Sequence, residues 1–176
     1  MDSFFKRVIR AMQLEAALYE EVETDRGATA QALGVVLLSG IAAGIGSSGR
    51  GLAGGILLLT IASILAWVVW AWVTYVIGTR VLPGARTEAD VGQLLRTVGF
   101  SSAPGVIQIL GVIPILAEVA FFVAGVWMLV AMVIAVRQAL DYESTARAVG
   151  VCFIGWGLQM VFLGAVLPAW NPPPAG

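Results

Sequence analysis

Residues 52–79 read LAGGILLLTIASILAWVVWAWVTYVIGT, and no charged side chain lies between Arg50 and Arg80. A helix needs about 20 apolar residues to cross a hydrocarbon core of about 30 Å. This stretch exceeds that need, which predicts a transmembrane helix able to tilt or to extend past the bilayer. Working outward, residues 28–46 form one further candidate span before it, and residues 94–112, 114–136 and 148–167 form three after it. The expected fold is therefore all-α: a polytopic bundle of five transmembrane helices in one membrane domain over residues 28–168.

Composition agrees. The chain is 59% hydrophobic and 12% charged, against about 25% charged in a soluble domain. The net charge of -1 offers no clustered basic surface for nucleic acid. With no histidine and a single cysteine, Cys152, zinc sites, disulfide frameworks and histidine-dependent triads cannot be assembled within one chain. Cys152 lies in an apolar run and reads as a small buried side chain. The glycine-rich stretch 44–55 has neither the lysine nor the strand of a phosphate-binding loop. No cofactor, no metal and no enzymatic activity is expected.

The third span is the most diluted, by Gly99, Ser101, Ser102, Pro104, Gly105, Gln108 and Gly111. It should face protein, with Gly99, Pro104 and Gly105 forming a hinge where the proline ring breaks the hydrogen-bond ladder. Before it, Pro83-Gly84 makes a turn, and Thr87 with Asp90 suggests a cap for a helix beginning at Glu88. Gly40 and Gly44 in the first span, with Gly51 and Gly55 opening the second, predict a close antiparallel pair; self-association through the same glycines, giving a homo-oligomer, is the rival reading.

Loop charges set the topology. Lys and Arg concentrate on the cytoplasmic side of a membrane. Five spans place Lys6, Arg7, Arg10, Arg26, Arg80, Arg86, Arg96, Arg137 and Arg147 on one side and Arg50 alone on the other. The expected N-terminus is cytoplasmic and the C-terminus, a Pro-rich tail over 169–176, lies outside. Residues 1–27 make an N-terminal unit in which Phe5, Val8, Ile9, Met12, Ala16 and Tyr19 form one apolar helical stripe. Such a helix lies in the membrane interface or packs on the bundle end. Its mixture of charges fits poorly with a cleavable signal peptide.

The densest polar cluster is Tyr19-Glu20-Glu21-Val22-Glu23-Thr24-Asp25-Arg26, with Gln31 one turn into the first span. On the same expected side lie Arg96, Arg137 and Asp141. Glu20, Glu23 or Asp25 could pair with Arg96 or Arg137, or bind a cation through carboxylate oxygens; the plainer reading is a solvated acidic segment. Glu118 reads as an interfacial carboxylate at a helix N-terminus. Gln108 and Gln159 are candidates for interhelical hydrogen bonds. The six tryptophans are too spread for a single belt.

The five spans, the cytoplasmic N-terminus and the third span opening Gly99-Phe100-Ser101-Ser102-Ala103-Pro104 together resemble the YIP family, membrane proteins named for interaction with Ypt/Rab GTPases. Leu18-Tyr19-Glu20-Glu21-Val22-Glu23, Gln31-Ala32 and Ala135-Val136-Arg137-Gln138-Ala139-Leu140-Asp141-Tyr142 are similar to its bacterial branch. The resemblance implies a five-helix domain without catalytic residues, in a bacterial plasma membrane, with membrane lipids as partners. Its eukaryotic members carry a long N-terminal extension with an Asp-Leu-Tyr-Gly-Pro type motif that this chain lacks, which argues against GTPase binding here. The leading expectation is membrane organisation or scaffolding. The runner-up is a small transporter or channel, with Gln31, Gln108 and Gln159 along the broken third span.

Overall fold

The computed structural model describes residues 2–48, 55–85 and 87–170, with side chains for all of these except residues 2, 55, 159 and 162–170. Seven α-helices are present among the described residues: α1 (Asp2–Met12), α2 (Ala16–Thr24), α3 (Ala28–Ser48), α4 (Gly55–Val76), α5 (Val91–Phe100), α6 (Pro114–Ala139) and α7 (Thr145–Trp170). No strand occurs among the described residues. Among the described residues three helical stretches, Ala28–Ser48, Ile56–Val81 and Pro114–Ala139, are long and apolar enough to cross a membrane. Leu57, Val69, Ile115, Phe122 and Phe153 are exposed on α4, α6 and α7; outward-facing large apolar side chains are what lipid solvates. Gly51, expected to pack the second span on the first, and residues 171–176 of the expected tail lie outside the described residues, while α7 runs on to Trp170.

The N-terminal unit is two helices, not one continuous stripe. Leu14 has a positive φ of 61°, and Leu14 N–H donates to Ala11 O and Glu15 N–H to Arg10 O, each at 3.1 Å. This pair of bonds is the left-handed stop that usually takes glycine. Because the chain turns there, the apolar residues divide. Phe4, Val8 and Met12 pack on the core, Leu18 and Tyr19 are fully buried, and Phe5 (58% exposed) and Ile9 (54%) face outward.

The third expected span has two conformations in series. α5 ends at Phe100, and after Ser101 and Ser102 a 3₁₀ helix runs from Ala103 to Val112 with Pro104 in its first turn. A 3₁₀ helix rises about 2.0 Å per residue against about 1.5 Å for an α-helix, so the stretched half gains length that a short span otherwise lacks. It starts later than expected. Asp90, not Thr87, caps α5: Gln93 N–H donates to Asp90 Oδ1 at 2.8 Å, and Asp90 N–H donates back to Gln93 Oε1 at 2.6 Å. Thr87 is occupied elsewhere, its hydroxyl accepting from Gly84 N–H (2.8 Å) and donating to Leu140 O (2.9 Å).

Glycines set the closest approaches. α3 meets α4 at Gly40, where a Cβ would strike Ser63, and at Gly44, where it would come within 2.7 Å of Ile56 Cα. α3 meets the 3₁₀ helix at Gly46, against the backbone of Gln108, and at Gly105, against Ser39. Gly99 brings α5 onto Ala32, whose Cβ would lie 2.7 Å from an added one. Several serine and threonine hydroxyls inside the spans donate to carbonyls of their own helices, as Ser63 does to Thr60 O and Thr60 to Ile56 O, which lets these polar side chains sit in hydrocarbon without an open bond.

Candidate functional site

Three segments far apart in sequence are tied together at one end of the bundle. α6 stops at Asp141 in the same way that α1 stops at Leu14: φ is 49°, with Asp141 N–H donating to Gln138 O and Tyr142 N–H to Arg137 O, both at 2.9 Å. The stop turns the buried Tyr142 back toward α4, which ends in a π-helical turn, Ile77–Val81. The phenol reaches Gly78 O at 3.1 Å and Leu82 O at 2.6 Å. Leu140 packs where a Gly78 side chain would stand. With the Thr87–Leu140 bond, these contacts join the loop after α4 to the loop after α6.

Arg96 of α5 ties in the N-terminal unit. It is buried, and its guanidinium donates through Nε to Val22 O (3.0 Å) and Glu23 O (3.1 Å), and through Nη2 to Glu23 O. A cation on the last carbonyls of α2 satisfies orphan acceptors and complements the helix dipole. Nearby, Gln138 Nε2 donates to Glu20 Oε1 at 2.6 Å.

Arg96 leaves the neighbouring carboxylate alone. Among the described residues no donor reaches the Glu23 side chain, although the residue is buried. Its burial, and after that the Asp141 carboxylate, push the acid from 4.5 up to about 7, with Arg96 opposing. The native state thus holds this proton where the unfolded chain has released it, so the contribution of Glu23 to stability is full below pH 4.5 and falls as the pH rises toward about 7. Glu23→Gln should flatten that fall and make the protein about 2 kcal/mol more stable at pH 8, readable as thermal unfolding in detergent across a pH series.

The remaining acids pair with α1. Arg7 reaches Glu21 (2.8 Å), Asp25 (2.9 Å) and Gln31 Oε1 (3.0 Å), and Arg10 reaches Glu15 (2.9 Å) and Glu21 (2.5 Å). Arg10 and then Arg7 hold Glu21 below the usual carboxylate range, and Arg7 does the same for Asp25; these pairs contribute stability at neutral pH that is lost on acidification. The expected pairing of Glu20, Glu23 or Asp25 with Arg96 or Arg137 is therefore replaced. Arg137 is exposed and its Nε donates to Tyr142 O at 3.3 Å. With no shared partner, Arg137→Ala and Glu23→Ala should be additive in unfolding free energy to within about 0.5 kcal/mol.

A shallow depression beside these residues, of about 410 Å³, is lined by Glu20, Arg137, Gln138, Asp141, Tyr142 and Glu143. No cluster of three metal-ligating side chains occurs among the described residues. Tyr19, quoted for the family resemblance, is fully buried with its hydroxyl unpartnered among the described residues. Gln31 bonds Arg7, the Gln108 carbonyl abuts Gly46, and the Gln159 side chain lies outside the described set.

The tryptophans, unplaced by the sequence, do specific work. Trp67 Nε1 donates to Leu95 O at 2.8 Å, fixing α4 to α5. Trp127 Nε1 donates to Met12 O at 2.9 Å, holding the end of α1 against the middle of α6. Trp67 and Trp70 also line a second, larger cavity of about 620 Å³ among α3, α4, α5, α6 and α7.

Neither a curated protein nor a solved structure matches the chain. The family model of the Yip1 domain matches residues 16–167, a range that runs from the first residue of α2 through most of α7 and takes in Arg96, Tyr142 and the broken third segment. The chain is a membrane protein belonging to the Yip1-domain family.

Proposed function

We propose that this protein is a non-enzymatic organiser of a bacterial plasma membrane, acting on one leaflet through α1. The supporting observation is that α1 is held rigidly while two of its large apolar side chains, Phe5 and Ile9, remain outward. Phe4 packs beside Gly34, within 3.6 Å of where its Cβ would be, and Met12 O is bound by Trp127. Gly34 is about 9 Å along α3 from Ala28, and Trp127 about 15 Å along α6 from Arg137. These contacts set α1 below the level of the tied loops, alongside the spans. Arg7 and Arg10 can sit at that depth because Glu15, Glu21 and Asp25 neutralise them.

The bias of basic residues makes the tied end cytoplasmic, with five passes and the C-terminus outside. α1 then wedges apolar volume into the cytoplasmic leaflet only, the geometry by which interfacial helices respond to and generate curvature. The test is reconstitution into liposomes at rising protein density. Wild type should narrow or tubulate the vesicles, and Phe5→Ser with Ile9→Ser should abolish this while leaving detergent thermostability within about 0.5 kcal/mol. Specific, saturable solute uptake that survives the double substitution would replace this reading with transport.

A further inference from the structure

We propose that the 620 Å³ cavity among the spans is a binding site for a neutral lipid that carries a carbonyl oxygen. Its volume falls within the range of small-molecule sites, about 300–1,000 Å³. Its walls include Val36, Val98, Trp67, Trp70, Met128 and Met132, and none of its lining residues among those described is charged. Its rim includes Leu65, 62% exposed on α4, and Leu158, 58% exposed on α7. Exposed apolar side chains of α4 and α7 thus border the cavity on the side that faces the bilayer, and the occupant comes from lipid.

Polar groups in the lining define its chemistry. Trp70 Nε1–H is buried and has no hydrogen-bond partner among the described residues. The Ser39 and Ser102 hydroxyls, which also line the cavity, donate to no group among the described residues, unlike Ser63, whose hydroxyl is bound to Thr60 O at 2.8 Å. An unsatisfied N–H in hydrocarbon costs several kcal/mol, and an indole can only donate. A carbonyl oxygen entering the cavity would bring the acceptor that these donors lack. Ser39 lies about 16 Å along α3 from Ala28, and Trp70 about 15 Å along α4 from Arg80, so the site is near the bilayer midplane. A phospholipid ester is tethered to a headgroup at the surface, and no cation waits here for a phosphate. A lipid without a charged head, such as a prenyl quinone or a diacylglycerol, can descend to that depth. The inference stands apart from the α1 wedge, since no α1 residue lines the cavity.

The test uses the purified full chain in detergent, titrated with decylubiquinone, dioleoylglycerol and, as a control without an acceptor, hexadecane. Binding should be saturable for at least one of the first two, and which one binds separates a prenyl from an acyl source. Trp70→Phe should weaken it about three- to tenfold, the worth of one hydrogen bond, without altering any uptake of hexadecane. Ala66→Phe, a substitution on the exposed rim, should block it while vesicle reshaping by α1 persists. Non-saturable partition of both carbonyl probes, equal in wild type and in Ala66→Phe, would overturn the assignment. So would a site that takes hexadecane as tightly as either carbonyl lipid.

Discussion

Gly46→Ala should destabilise the membrane domain by roughly 3 kcal/mol, near the upper end of what overpacking costs. The methyl group would fall on the carbonyl of Gln108, in the 3₁₀ helix itself, and would lie 3.3 Å from the Phe121 ring of α6. Backbone cannot swing aside as a flexible side chain does. Relief would require the 3₁₀ helix to withdraw from α3, and that would also open the Gly105–Ser39 contact. Gly125→Ala is the control: nothing lies within 4 Å of its added Cβ, and alanine improves helix propensity by about 1 kcal/mol. Thermal unfolding of both variants in one detergent measures the difference. Equal midpoints would mean that the 3₁₀ helix does not press on α3 as described.

Arg96→Met should cost about 3 kcal/mol for a different reason. Methionine keeps most of the apolar stem, but the carbonyls of Val22 and Glu23 lose a charged donor inside the protein, and each buried acceptor left open costs about 1–3 kcal/mol. Lysine should recover only part of the loss, because its ammonium cannot reproduce the planar fork that spans two successive carbonyls. A further consequence follows at Glu23: Arg96 opposes its protonation, so in Arg96→Met the destabilisation seen on raising the pH should grow. Hydrogen exchange confined to α2 would report the loss locally. If Arg96→Met unfolds no earlier than wild type, the guanidinium does not hold α2 in place.

The long spans were legible because an uncharged run is a strong signal. Residues 28–46 were expected and Ala28–Ser48 forms; residues 114–136 were expected and Pro114–Ala139 forms. The break in the third segment was legible from Pro104 and its glycines, but not its form, since no pattern announces ten residues of 3₁₀ helix. Three features stayed hidden for physical reasons. Leu14 and Asp141 adopt the left-handed conformation without glycine, so the usual punctuation is missing. Arg96 binds main-chain oxygens, which every residue possesses and no sequence reveals. Trp70, Ser39 and Ser102, which line one cavity, are brought together only by folding, from segments distant in sequence.

The phenol of Tyr142 has a bearing on how the chain is made. Gly78 and Leu82 leave the ribosome some sixty residues before the hydroxyl that satisfies their carbonyls. The earlier helices can thread into lipid singly, as independently stable spans do, yet this end of the bundle closes only after Asp141 has reversed the chain. Assembly is thereby deferred to a late moment of translation, and a nascent chain halted before residue 142 should remain sensitive to protease in the loop after α4.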